Sequence, residues 1–395
     1  MEARNIADLR AAARARLPRG LFEYVERGTE DEIALIRNRA ALDAIVFEPR
    51  VLVDVSKRSL AIDLFGRRIA APLIVAPTGA AGMLWYQGEA ALARAASSAD
   101  IPFVLSTSSI TPMETVARGA RAPLWFQLYM WPDRELSYDL VDRAGAAGYD
   151  TLVVTLDTPV SPNREYNVRN GFSIPMRMTA RNVVDFALHP RWTLSVMGRY
   201  LATTGMPKRE NYPESMRRAL TRGVARQAPK NDSLTWSDLG ALRRRWPGKL
   251  VVKGILAAED AVLAADEGVD GLIVSNHGGR NLDSSVPPIT VLPGIVKAIG
   301  ERVTVLYDSG VERGSDVARA LALGAKAVLV GRAPLWGIAA GGETGAARAL
   351  ALLRAELDRT MAFVGAASID ALSRVATRCI PVARDAYGMT HQEDL

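Results

Sequence analysis

Gly271-Leu272-Ile273-Val274-Ser275-Asn276-His277-Gly278-Gly279-Arg280-Asn281-Leu282-Asp283 is the stretch that decides how this chain folds. Its first four residues form an apolar run of strand length, so the polar cluster begins where a buried strand leaves the core. His277 therefore stands at a strand's end. The two glycines after it remove side-chain bulk and free the backbone to turn, which lets a ligand approach closely and lets Arg280 swing back toward the histidine. A histidine beside an arginine on such a loop suits proton abstraction next to an anionic group. On these residues alone, a loop histidine with a solvated arginine is an equal alternative.

Similar apolar runs recur on both sides: Pro72 to Ala76, Ile101 to Leu105, Leu124 to Leu128, Thr151 to Leu156, Leu250 to Lys253, Gly271 to Ser275, Val303 to Tyr307 and Ala327 to Val330. Helical stretches such as Glu89 to Ser98, Arg134 to Ala147, Glu259 to Glu267 and Ser315 to Leu323 lie between them. Eight strands alternating with helices, most starting about 20 to 30 residues apart, predict an α/β fold, a (β/α)8 TIM barrel with parallel strands. An open doubly wound sheet is the competing architecture. No Gly-x-Gly-x-x-Gly follows the first strand and no Gly-Lys-Ser loop occurs, so nicotinamide or ATP binding by those routes has no support. The chain reads as a single domain, 1–395: helices and a hairpin over 1–70, the barrel over 71–375 with an insert at 176–232, and a tail at 376–395. Within the first part, residues 5–43 read as two or three helices broken at Pro18, Arg19 and Gly20, and 51–65 alternate like a hairpin.

Composition narrows the classes. With 395 residues, 49% of them hydrophobic, the chain holds a sizeable core. Cys379 is the only cysteine, which excludes an intrachain disulfide and a cysteine-built metal site; no metal is expected. Of three histidines, His189 sits in a basic segment and His391 near the C-terminus, leaving His277 for core chemistry. The first 20 residues lack the apolar core of a signal peptide, and the uncharged run 69–88 is broken by Pro72, Pro77, Gly79 and Gly82, against a membrane span.

A barrel gathers its chemistry at the C-terminal ends of its strands. In order, those ends carry Thr78-Gly79, Ser106, Gln127 with Tyr129, Thr155 with Asp157, Lys253, His277 with Arg280, Asp308 with Gly310, and Gly331-Arg332. Every strand thus delivers a polar residue or glycine to one rim.

Together, Ser-Asn-His-Gly-Gly-Arg (275–280), Lys253-Gly254, Phe126-Gln127-Leu128-Tyr129 and Asp157-Thr158-Pro159 resemble the FMN-dependent L-2-hydroxy acid dehydrogenase and oxidase family. The likeness runs from about Tyr24 to about residue 374. Residues 103–107, 188–192 and 314–325 are most similar to its mandelate dehydrogenase branch. The resemblance implies FMN as cofactor, an L-2-hydroxy acid as substrate and the 2-oxo acid as product. It makes His277 the base that takes a proton from the substrate's Cα or its hydroxyl, with Asp157 stabilising the imidazolium. It assigns Arg164 and Arg280 to the substrate carboxylate, with Tyr24 as a further donor and Tyr129 on the substrate oxygen. Lys253 and Ser275, with Ser106, Gln127, Thr155 and the turn Pro77-Thr78-Gly79, would hold the flavin ring. Asp308, Gly310, Gly331 and Arg332 would take ribityl and phosphate. A homotetramer is implied as well.

Some positions depart from the family pattern. Glu312 stands where arginine is usual, so a phosphate contact is lost or moves to Arg313. Pro162 replaces a glycine and Asn167 an aspartate near Arg164. Gly79 stands where the oxidases commonly have alanine, which favours an acceptor other than oxygen.

The segment 176–232 holds 11 Lys and Arg against 4 Asp and Glu, a net of +7, whereas the remaining residues sum to −1. Its arginines accompany Val183, Val184, Phe186, Trp192, Leu194, Val196, Met197, Tyr200 and Leu201. That mixture suits an interfacial helix on anionic lipid, and membrane-bound members of the resembled family carry their membrane segment here. The expectation is peripheral attachment on the cytoplasmic side of the inner membrane, with a quinone-type acceptor. A lid or a subunit contact would use the same residues. No nucleic-acid module accompanies the basic segment, so no nucleic-acid partner is expected. The alternatives are a hydrogen-peroxide-releasing oxidase, an FMN barrel without net redox chemistry, and a non-enzymatic scaffold.

Overall fold

Buried on both faces, parallel barrel strands read as apolar runs, and the computed structural model, which describes residues 2–171, 179–217 and 232–380, bears this out. The strands are β1 (Leu73–Val75), β2 (Phe103–Ser106), β3 (Leu124–Leu128), β4 (Thr151–Thr155), β5 (Lys249–Ile255), β6 (Gly271–Val274), β7 (Thr304–Tyr307) and β8 (Ala327–Val330). Each pairs in parallel with its neighbours, and β8 pairs with β1 to close the barrel. The expected α/β barrel is therefore present, with strand limits shifted by at most two residues.

Register places the polar ends at one height. Ser106 lies opposite Gln127 between β2 and β3, and Thr155 opposite Lys253 between β4 and β5. The β5–β6 ladder slips between Lys253 and Ile255. Gly254 occupies that bulge at φ +105°, and a Cβ there would fall 2.5 Å from the Cβ of Asp157. Glycine at 254 thus makes room for Asp157 to lean across the rim.

Three helices precede the barrel: α1 (Ile6–Arg16), α2 (Arg19–Glu26) and α3 (Ile33–Asp43). Contrary to the expected break, Arg19 and Gly20 belong to α2, because Pro18 with its fixed φ serves as the N-cap. α3 is docked on the β6 loop, where Asp283 Oδ1 accepts the Ala34 N–H at 2.9 Å. Gly279, at φ +71°, lies so close to α3 that a Cβ would stand 2.6 Å from the Leu35 nitrogen.

Two further expectations need correction. The hairpin lies at Ile62–Leu64 and Arg67–Ile69, not over 51–65. Val51 and Leu52, at the start of that stretch, are 81% and 103% exposed, while Phe65 and Gly66, both at positive φ, make the turn. Nor is all of 376–395 a loose tail, since Thr377–Cys379 pairs antiparallel with Ile45–Phe47. His391 lies outside the described residues.

In the insert, Ala180–Leu188 is helical, and a second helical run goes from Pro190 to Thr203 with a π-wound middle, Thr193–Gly198. The parts 176–178 and 218–231 lie outside the described residues. The apolar residues of the insert divide between the interior and the outer surface. Trp192, Val196 and Tyr200 are buried, and Trp192 Nε1 donates to the Met83 carbonyl at 2.7 Å. Val183, Val184, Leu188, Leu194 and Leu201 remain exposed. Among the described residues no helix is long and apolar enough to cross a membrane.

Candidate active site

A cavity of about 1130 Å³ opens at the C-terminal mouth of the barrel, between the strand ends and the N-terminal helices. Its volume exceeds that of ordinary small-molecule sites, which leaves room for a cofactor and a second small ligand. Tyr24, Pro77, Thr78, Gly79, Ser106, Gln127, Tyr129, Thr155, Arg164, Lys253, His277, Arg280, Asp308, Gly310, Gly331 and Arg332 all line it. Asp157 and Ser275 are not part of this lining and act through the residues they bond.

His277 is built for position. Its φ is +59°, followed by Gly278 at +68° and Gly279 at +71°, so three consecutive left-handed residues turn the chain at the end of β6. A non-glycine residue there is strained and needs support from its surroundings. The His277 N–H donates to Ser275 Oγ at 3.0 Å, and the Gly278 N–H to Ser309 Oγ at 3.1 Å. Asn276 and Asn38 exchange two side-chain hydrogen bonds, which tie the loop to α3.

The imidazole is oriented from behind. His277 Nδ1 lies 3.0 Å and 3.2 Å from the two carboxylate oxygens of Asp157. An ionised carboxylate only accepts, so Nδ1 carries the proton and Nε2 presents a lone pair toward the cavity, 3.4 Å from Tyr129 Oη. Burial works to raise the Asp157 carboxyl, but His277, Lys253 and Thr158 outweigh it and hold the group below its ordinary range. Burial likewise pushes the His277 ring below its usual 6.5, against the opposing pull of Asp157. At neutral pH the pair is thus a neutral imidazole on an ionised carboxylate. Burial raises the Tyr129 hydroxyl, which stays protonated.

Cations surround this imidazole. Arg280 Nη1 donates to the Arg27 carbonyl at 2.8 Å, and its guanidinium lies 5.3 Å from the Tyr24 ring centre, so it reaches α2 more than the imidazole. Arg164 donates through Nε and Nη2 to the Arg280 carbonyl at 3.3 Å, so Pro162 and Asn167 leave it in the cavity wall. Burial and Arg280 both lower the Arg164 pKa, and the same two causes bring Arg332 down to about 10. Mutual repulsion among guanidiniums marks a place suited to anions.

Beside the histidine, the ends of β2 to β5 carry a linked set of polar groups. Ser106 Oγ donates to Gln127 Oε1 at 3.0 Å and Gln127 Nε2 to Thr155 Oγ1 at 2.9 Å, a chain that fixes the orientation of the amide. Lys253, 4% exposed, is held by Asp308 Oδ2 at 2.8 Å and Ser275 Oγ at 2.6 Å. Ser275 therefore positions Lys253 and His277, accepting from both. Arg313 is another correction: it pairs with Glu356 on the outside and lines no part of the cavity.

Several contributors went unread in the sequence. Asn281 Nδ2 donates to the Asp157 carbonyl at 2.8 Å, and its place one residue beyond Arg280 was the available signal. Arg209 and Tyr212 from the insert line the mouth, with Arg209 4.9 Å from the Tyr212 ring centre. Arg10, Glu26 and Arg39, on the N-terminal helices, line the end near Gly310 and Arg332. No local motif announces these.

A closed parallel barrel with a carboxylate-backed histidine, a buried lysine and paired arginines at its mouth is suited to proton transfer next to a bound anion. Residues 13–378 match the FMN-dependent dehydrogenase family, and the chain belongs to that family. It is 46% identical to (S)-mandelate dehydrogenase of Pseudomonas putida over 93% of this chain and 92% of that protein. It is 42% identical to L-lactate dehydrogenase of Caulobacter vibrioides over 93% of this chain and 96% of that one. A crystal structure of a monotopic membrane protein, (S)-mandelate dehydrogenase, superposes with a TM-score of 0.89 at 45% identity, covering 94% of this chain and 98% of that chain.

Proposed function

We propose that this FMN-dependent dehydrogenase oxidises an L-2-hydroxy acid, mandelate-like or lactate-like, to the 2-oxo acid and passes the electrons to a quinone or another acceptor that is not oxygen. One observation carries the reading: His277 Nε2 faces the cavity, backed by Asp157 at 3.0 Å, in a wall shared with Arg164 and Arg280.

The cavity fits the cofactor by its donors. Lys253 and the Ser106–Gln127–Thr155 chain offer a cation and oriented polar groups to a flavin ring, beside the turn Pro77-Thr78-Gly79. Asp308, Gly310 and Gly331 with Arg332 lie in the loops after β7 and β8, where the helix beginning at Arg332 presents its amides to a phosphate. FMN supplies the redox chemistry when bound. Arg164 and Arg280 clamp the substrate carboxylate, Tyr24 adds a hydrogen bond to it, and Tyr129 donates to the substrate oxygen. His277 then takes the proton on Nε2, and Asp157 stabilises the imidazolium from the Nδ1 side. Both named sequence relatives are dehydrogenases, which supports the dehydrogenase reading over the oxidase alternative.

Peripheral membrane attachment is part of this proposal. Arg181, Arg191 and Arg199 are exposed beside Val183, Val184, Leu188, Leu194 and Leu201, a mixture that suits the surface of an anionic bilayer. The monotopic relative supports it. A homotetramer is proposed from the resemblance alone, and light scattering on the purified protein tests it.

Anaerobic flavin reduction by a panel of L-2-hydroxy acids tests the function. Bleaching by at least one L-acid, and not by its D-enantiomer, is expected; no bleaching by any of them contradicts the proposal. Oxygen consumption matching turnover would assign the enzyme to the oxidases.

A further inference from the structure

Glu312 is an acid at the anion end of the cavity. It lines the same cavity as Arg10, Arg39 and Arg332, all three close enough to act on its charge, and stands two residues beyond Gly310. Among the described residues its carboxyl makes no ion pair within 4.0 Å and no side-chain hydrogen bond; only its backbone N–H is engaged, by Asp316 Oδ2 at 3.0 Å. The neighbouring charges are already matched. Arg39 and Arg319 share Asp43 and Asp316, Arg10 pairs with Glu26, and Asp308 holds Lys253. Arg280 lies beside Arg332 and belongs to the proposed carboxylate clamp. With that clamp set aside, an ionised Glu312 cancels Arg332, and an incoming phosphate dianion meets no surplus positive charge.

We propose that Glu312 contacts the cofactor phosphate as a neutral acid, its carboxyl O–H donated to a phosphate oxygen, so that FMN binding takes up a proton from water. This rests on the placement of FMN proposed above. A neutral carboxyl offers the phosphate a donor and restores the surplus charge of Arg332, whereas a carboxylate beside a dianion repels it across a partly buried gap. Burial already raises the Glu312 pKa against the pull of Arg39, Arg10 and Arg332. A bound dianion raises it further. FMN affinity then falls as pH rises, because the proton must be drawn from an ever more dilute supply.

The test titrates flavin-free full-length protein with FMN by fluorescence quenching from about pH 7 to 9, where the phosphate stays doubly ionised. Riboflavin, which lacks the phosphate, is the control. For the unaltered protein the dissociation constant for FMN should rise by up to roughly tenfold per pH unit, while that for riboflavin stays flat. Glu312→Gln, neutral at every pH and still a donor, should bind FMN with no pH dependence and up to roughly a hundredfold more tightly at the alkaline end. Calorimetry in buffers of different ionisation enthalpy should count proton uptake with FMN in the unaltered protein only. A flat FMN profile, an equal slope for riboflavin, or an unchanged slope in Glu312→Gln would each overturn the role of Glu312. Failure of both flavins to bind the unaltered protein would overturn the cofactor placement instead.

Discussion

Nδ1 of His277 and Oδ1 of Asp157 lie 3.0 Å apart across the rim, although 120 residues separate them in the chain. Gly254 makes this contact possible, since any side chain there would occupy the space of Asp157. The contact fixes which ring nitrogen carries a proton and therefore which one is free to accept another.

Asp157→Asn should cut kcat/KM by on the order of 10² to 10⁴, because an amide can turn its N–H toward Nδ1 and shift the proton to Nε2. The pH profile gives a separate reading. A base works only when deprotonated, and burial sets the His277 pKa below 6.5, so the acid limb of kcat/KM for the unaltered enzyme should lie below that value. Asp157 opposes this lowering, so its removal should move the residual activity's acid limb to still lower pH. Steady-state kinetics across acid pH check both.

Lys253→Met should destabilise the fold by about 3 to 5 kcal/mol, since it leaves the Asp308 carboxylate buried without its partner at 2.8 Å. Lys253→Met combined with Asp308→Asn should recover most of that loss without restoring flavin reduction. Denaturant unfolding of the three proteins separates the structural part of the lysine's contribution from its part in the reaction.

Arg164→Leu and Arg280→Lys should each lower kcat/KM by on the order of 10²-fold, largely through KM, because each removes one half of a carboxylate clamp. Lysine does not rescue Arg280, whose Nη1 is engaged by the Arg27 carbonyl while the rest of the fork remains for the substrate. Initial rates over a range of substrate concentration measure this.

Much of the barrel was legible because its strands are buried on both faces and end in polar residues at the rim. Lys253 and His277 announced themselves as polar residues coming at the ends of apolar runs. Contacts distant in sequence did not, such as Asn38 with Asn276 or the short pairing of residues 45–47 with 377–379. Alternation at 51–65 misled because its first part forms no strand and leaves Val51 and Leu52 exposed. In the insert, composition cannot tell Trp192 and Val196, which pack inward, from Leu194 and Leu201, which do not.

Arg181→Ser with Arg191→Ser should weaken binding to anionic vesicles by about 1 kcal/mol per residue, close to fivefold each, and leave flavin reduction by substrate unchanged. Both arginines are exposed on the insert, away from the cavity wall. Vesicle sedimentation should show the difference at low salt and lose it as salt rises.

The role of His277 is tested most directly by anaerobic stopped-flow reduction of the His277→Ala holoenzyme with a hydroxy acid that reduces the unaltered protein. The account predicts a protein that retains FMN and binds substrate but whose flavin bleaches at least 10³-fold more slowly, on the scale of losing a positioned general base. Bleaching at a near-normal rate in that variant would contradict it.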